Sequence, residues 1–291
     1  MLFKILFIIA AIIIVWIIIQ KNISEKYTPE NYIANGLSKI SINDISIVTY
    51  NIQKFPWALK SLGDEEISNI IKSHSIILLQ ECFNEAYDSL EKHYPDYHIC
   101  RGNLKRLNMM NSGLVILSKF PIIDVKFTEY KEANPWSFDY FSEKGFLTAS
   151  IKIGDKCIKV VNTHLQSSDF YRYDKYALSQ LEELMVYLDI LRENRDEYIV
   201  GGDFNIDIND FNNIMKSRKG FEVYKDMIKS PHKPTIYINL TTSHTSNNYK
   251  EGYEPFIFDY FITNSLSKTS PVVINSDYSD HNPVSSFFFL G

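Results

Sequence analysis

Four apolar runs in this chain each stop at residues that handle protons or metal ions, and no other feature constrains its fold as strongly. The runs are Val48-Thr49-Tyr50-Asn51, Ile77-Leu78-Leu79-Gln80-Glu81, Val160-Val161-Asn162-Thr163-His164 and Ile199-Val200-Gly201-Gly202-Asp203-Phe204-Asn205. A buried strand delivers its last residue to one rim of a sheet with little positional freedom. Asn and Asp also cap strands and open turns routinely. Independent turn caps would not be expected to supply a Glu, an Asp, a His and two Asn after such leads, so the four ends read as one site.

Further short runs rich in Ile, Val, Phe and Tyr are punctuated by turn residues. Strands are expected over residues 45–50, 76–80, 113–118, 145–153, 158–163, 198–200, 257–263 and 284–290. Helical patterns occupy residues 64–72, 84–93 and about 171–192, the last with Leu178, Leu181, Leu184, Met185 and Leu188 on one stripe. Strands outnumber helices without strict alternation. The expected fold class is therefore α/β, with two mixed β-sheets packed together and helices on their outer faces. No linker divides residues 43–291, which read as one domain, and residues 24–42 read as a tether.

The first 23 residues contain the sharpest shift in composition, an unbroken apolar run over residues 5–19 between Lys4 and Lys21. As a helix it spans roughly 22 Å at ~1.5 Å per residue. No small-x-small cleavage site follows, so the expectation is a retained signal anchor and a single-pass membrane localisation, or secretion if the segment is cleaved. The 291 residues carry 30 Lys and Arg against 35 Asp and Glu, a net charge of −5. This acidic balance argues against a broad basic surface for nucleic acid. Cys82, Cys100 and Cys157 lack ligand-like spacing, which excludes a disulfide framework or zinc site and leaves a Cys82–Cys100 pair open.

Near the carboxyl end, Asp280 and His281 precede the last apolar run, and Asp259 interrupts an earlier one. An unpaired carboxylate there would be costly, and a histidine is its natural partner because the carboxylate fixes the imidazole tautomer. Glu81, Asp203, Asn51 and Asn205 are hard oxygen ligands, which select Mg2+, or Mn2+ or Ca2+, over zinc. Hard divalent ions suit phosphate oxygens, and histidines add water activation and hydrogen bonding to the phosphoryl group. The expected chemistry is phosphoester hydrolysis.

Tyr50-Asn51, Gln80-Glu81, Asn162-Thr163-His164, Gly202-Asp203-Phe204-Asn205, Asp259-Tyr260 and Ser279-Asp280-His281 stand in an order that resembles the motif set of the endonuclease/exonuclease/phosphatase (DNase I-like) superfamily. That resemblance implies a four-layer sandwich with the motifs meeting at one edge. Gln80-Glu81-Cys82-Phe83-Asn84, the strand over residues 111–122, Lys144-Gly145-Phe146 and His164-Leu165-Gln166 look more closely like the neutral Mg2+-dependent sphingomyelinases of bacterial type. The resemblance implies that Glu81 and Asn51 hold the metal, with Asp280 helping, while Asp203 and Asn205 position water and phosphate. It makes His281 the general base oriented by Asp259, His164 the stabiliser of the pentacovalent phosphate, and Lys144 a substrate contact.

The implied substrate is a phospholipid at a membrane surface, sphingomyelin above all, cleaved to ceramide and phosphocholine. The alternative is a DNase I-like endonuclease, and no protein partner is expected. His74, His93, His98, His232 and His244 match no motif and read as surface or loop residues. One departure concerns residues 266–277, which lack the aromatic hairpin residues that bacterial sphingomyelinases carry ahead of the last motif. Trp136, Phe138, Tyr140 and Phe141 form an aromatic group near Lys144, open to either lipid contact or core packing.

Overall fold

β-Branched and aromatic runs prefer extended, half-buried backbone, and here they supply two large sheets. The computed structural model describes residues 45–54, 62–83, 86–102, 110–168, 174–218, 224, 227–242, 244–264, 266–267 and 270–289. The first strands are β1 (Ile45–Lys54), β2 (Ile76–Cys82), β3 (His98–Arg101), β4 (Val115–Ser118) and β5 (Ile122–Glu129). They are followed by β6 (Gly145–Ile153), β7 (Lys156–His164), β8 (Tyr198–Asp203), β9 (Ile228–Lys229), β10 (Ile236–Asn239) and β11 (His244–Ser246). The chain ends with β12 (Glu254–Phe256), β13 (Asp259–Thr263), β14 (Leu266–Ser267), β15 (Val272–Val273) and β16 (Val284–Phe289). Among the described residues the helices between them are α1 (Glu65–Lys72), α2 (Ala86–His93), α3 (Lys175–Glu193) and α4 (Ile208–Lys216).

One sheet runs β14-β16-β1-β2-β4-β3, with β15 also on β16, and the other runs β5-β6-β7-β8-β13-β9. Both are mixed, because β1 pairs parallel with β2 and β7 parallel with β8 while their other neighbours are antiparallel. A small third sheet, β11-β10-β12, stands apart. Strand alternation sends one side of each sheet to a shared core of Ile47, Leu78, Ile116, Ala149, Val160, Ile199, Phe261 and Phe288. The opposite face of the first sheet packs Tyr50, Ile77 and Leu79 against Ile67, Ile71 and Leu90 of α1 and α2. The second sheet packs Val161, Val200 and Tyr260 against Leu181, Leu184, Leu188 and Phe211 of α3 and α4. Each such fully buried side chain contributes about 1.5–3 kcal/mol.

Differences from the sequence reading have local causes. The first strand extends beyond residue 50 to Lys54, and the run from residue 257 becomes strand only at Asp259. The long helix begins at Lys175 because Asp174 caps it, accepting from the backbone N–H groups of Tyr176 and Ala177 at 2.9 Å each. Helix α4 was not expected, although Asp207 caps it in the same manner and Ile208, Phe211 and Met215 lie on its buried side. The three cysteines are free. His98 is buried on β3, contrary to its reading as a surface or loop residue, while His74 lies in the loop between α1 and β2 and is buried there.

The single-pass membrane localisation is also corrected, because no helix among the described residues is long and apolar enough to cross a membrane. The segment over residues 5–19 that prompted it, like the tether, lies outside the described residues.

Candidate active site

The register of five strands sets the site. Asn51 on β1 pairs with Gln80 on β2, one residue before Glu81. On the facing sheet His164 pairs with Asp203, which on its other side pairs with Asp259. A Cβ at Gly202 would lie 2.0 Å from the Thr163 carbonyl oxygen, so the close approach of β7 and β8 beneath the site requires glycine. Glu81 and Asn205 hold φ values of 55° and 50°. Left-handed backbone at non-glycine residues is uncommon and concentrates at functional sites.

Asp203 Oδ2 is the meeting point. Asn51 Nδ2 donates to it at 3.0 Å and to Glu81 Oε1 at 2.9 Å, so one amide ties together carboxylates from the two sheets. His281 Nε2 lies 3.5 Å and His164 Nε2 3.6 Å from the same oxygen. The other ring nitrogen of His281, Nδ1, donates to Asp259 Oδ2 at 2.8 Å. Asn205 N donates to Asp203 Oδ1 at 2.9 Å, and its side chain donates to Leu165 O at 3.0 Å. Asp280 sits at the rim, where its carboxylate accepts from Thr245 Oγ1 and Ser279 Oγ.

The two imidazoles are driven in opposite directions. Burial opposes charge on His281, but Asp259, Asp203 and the hydrogen bond to Asp259 outweigh it and hold its pKa well above the usual 6.5. Burial, aided by the charge of Lys144, pushes His164 down to about 4, so it is neutral at pH 7 and its contact with Asp203 is not an ion pair. Burial and then the nearby Asp280 raise the Glu81 carboxyl to about 7.

Lys144 is buried, with Nζ 3.0 Å from Asp139 Oδ2 and donating to Leu165 O at 3.2 Å. Asp139 also accepts from Gln166 Nε2, Ser167 N and Ser167 Oγ. Burial raises its pKa, yet Lys144, His164 and these donors prevail and bring it to about 2. Asp139 was missed from the sequence. The sequence shows only that Asp139 stands five residues before Lys144; the burial that makes a carboxylate partner necessary belongs to the tertiary structure. Beneath the site, Gln80 Nε2 donates to Asn162 Oδ1 at 2.6 Å and Asn162 Nδ2 donates to Leu79 O at 2.8 Å, clasping the two sheets.

The site fits a hard cation. Among the described residues Glu81 Oε2 and Asp259 Oδ1 are buried without a hydrogen-bond partner, a condition that protein carboxylates rarely sustain without an ion or water. Asp203, Asp259 and His281 present ligand atoms within 4.8 Å of one another. These oxygens with a single imidazole nitrogen match a divalent ion of the magnesium class better than a thiolate-seeking one.

The profile of the Endonuclease/Exonuclease/phosphatase family matches residues 48–281. Sphingomyelinase C of Bacillus cereus is 26% identical over 310 residues, covering 87% of this chain and 89% of that protein. The crystal structure of a Staphylococcus aureus beta toxin variant with bound magnesium ions superposes with a TM-score of 0.59 at 20% identity, covering 84% of this chain and 99% of that one. Truncated Caenorhabditis elegans TDP2 superposes with a TM-score of 0.62 at 20% identity, covering 85% and 98%. At these identities the two structures establish the fold alone.

Proposed function

This chain belongs to the Endonuclease/Exonuclease/phosphatase family and is a hydrolase of phosphodiesters, and we propose that its substrate is a phospholipid, sphingomyelin first, cleaved to ceramide and phosphocholine in a Mg2+-dependent reaction. The observation that carries this reading is the convergence on Asp203 of two buried imidazoles, His164 and His281, beside a carboxylate with an oxygen that lacks a hydrogen-bond partner among the described residues. The likeness to sphingomyelinase C over most of both chains supports the choice of substrate.

Glu81 and Asn51 would hold the ion, with Asp280 at the rim contributing to its site. Bound there, Mg2+ or Mn2+ would neutralise charge on the phosphoryl oxygens and offset the carboxylates that keep His281 protonated. Asp259 fixes Nδ1 of His281 as the donor and leaves Nε2 to face the cleft. From there Nε2 takes a proton from the attacking water as the new P–O bond forms. Asp203 and Asn205 position that water and the phosphate. His164, neutral and donating, stabilises the pentacovalent phosphate. The bond to the lipid oxygen then breaks, that oxygen takes a proton from water to give the alcohol, and His281 gives up its own proton to solvent. Lys144, anchored by Asp139, adds positive charge behind His164.

Parallel incubations with sphingomyelin, phosphatidylcholine, a phosphoinositide and plasmid DNA, each with Mg2+ and with chelator, test this function. Phosphocholine release from sphingomyelin that stops with chelator is expected. Cleavage of DNA with no lipid headgroup released would overturn the substrate and leave a nuclease of the same fold.

A further inference from the structure

Three aromatic side chains project into solvent from a turn whose other face is tied into the site. Trp136 is 92% exposed, Tyr140 52% and Phe141 41%. The 3-10 turn Phe138–Phe141 is capped by Ser137, which accepts from Asp139 N at 3.2 Å. It directs Asp139 inward to Lys144, Gln166 and Ser167. With Asp139 so held, Tyr140 and Phe141 stay outside, their rings edge to face at 6.5 Å.

Exposed apolar patches rimmed by polar residues mark contacts with proteins or membranes. Continuity with the cleft selects the membrane. Lys144, the partner of Asp139, donates to the carbonyl of Leu165, the residue after His164. A phospholipid entering the cleft at that bank brings its own surface against the turn. Trp and Tyr combine an apolar body with a polar tip and settle at the water–lipid boundary. The net charge of −5 disfavours an anionic leaflet and favours a zwitterionic one.

We propose that Trp136, Tyr140 and Phe141 seat the protein on a zwitterionic phospholipid surface, placing the Asp139–Lys144 side of the cleft against the headgroups. This rests on the phospholipid reading of the site and goes beyond it by naming the contact surface.

The test compares the full chain with its Trp136→Ser/Tyr140→Ser/Phe141→Ser variant on vesicles of sphingomyelin and phosphatidylcholine, and on water-soluble bis(p-nitrophenyl) phosphate. Vesicle turnover should fall at least about tenfold while the soluble diester changes by less than about twofold, because interfacial affinity scales with the apolar area inserted. Equal vesicle turnover overturns the proposal. So does an equal loss on both substrates, which would make the turn a support for Asp139 only. Ile190→Ser removes an exposed apolar residue on α3, and a comparable vesicle defect from it would also overturn the proposal.

If the wild-type chain releases no headgroup, the substrate reading fails separately and a binding measurement decides docking. In a chain carrying Trp16→Phe and Trp57→Phe, brominated phosphatidylcholine should quench Trp136 fluorescence, and unquenched emission overturns the proposal.

Discussion

Nδ1 of His281 lies 2.8 Å from Oδ2 of Asp259, a bond between buried residues 22 positions apart that leaves Nε2 facing Asp203. The carboxylate both orients the ring and favours its charged form. His281→Ala should lower turnover at least about a hundredfold, the usual worth of a positioned general base. Asp259→Asn should lower the pKa of His281 in the metal-free protein, which an NMR titration of the ring would follow. Unchanged turnover in the first variant would remove His281 from the mechanism.

Glu81 is joined to Asp203 through the Asn51 amide, and its second oxygen has no hydrogen-bond partner among the described residues. Glu81→Gln should weaken Mg2+ activation by about tenfold or more, since one or two carboxylates supply most of such a site's charge. Calorimetric titration of the metal measures this directly, and a wild-type isotherm would exclude Glu81 as a ligand.

Lys144 and Asp139 form a buried pair at 3.0 Å. Removing one partner strands the other, at a typical cost of about 3–5 kcal/mol. Lys144→Met should therefore destabilise strongly, and adding Asp139→Asn should recover part of the loss. Urea denaturation of the two single variants and the double variant gives the coupling, and simple additivity would contradict it.

His74 is buried, with ring nitrogens 2.7 Å from Ile70 O and 2.7 Å from Ser285 Oγ. Burial lowers its pKa below 6.5, followed by an opposing hydrogen bond to Ile70 and a smaller effect of Lys119 in the direction of burial. With the folded pKa depressed, the unfolded chain binds more protons between the two values. The stability His74 contributes is therefore full above pH 6.5 and lost as pH falls through the folded value. His74→Gln cannot titrate, so the stability gap between wild type and variant should shrink on acidification from pH 7.5 to 5. A gap independent of pH would show that His74 is not buried in its neutral form.

The exposed aromatics illustrate a limit of pattern reading. From composition alone Trp136, Tyr140 and Phe141 fit either a core or a surface, because apolar character does not reveal which side of a turn faces inward. Asp139 settles it by bonding to Lys144 and Ser167. Likewise His74 carried no motif, yet it fills the contact between α1 and β16.

The strands were legible because burial demands runs of Ile, Val, Leu and Phe, and their polar ends were legible because such residues are costly inside a core without a role. One-dimensional order could thus supply Asn51, Glu81, His164, Asp203, Asp259 and His281 as a set. It could not supply the register that gathers them around Asp203, nor the opposite directions in which burial and neighbouring charge push the two histidines. Those depend on pairing between distant strands and on burial, quantities that exist only once the sheets have packed face to face.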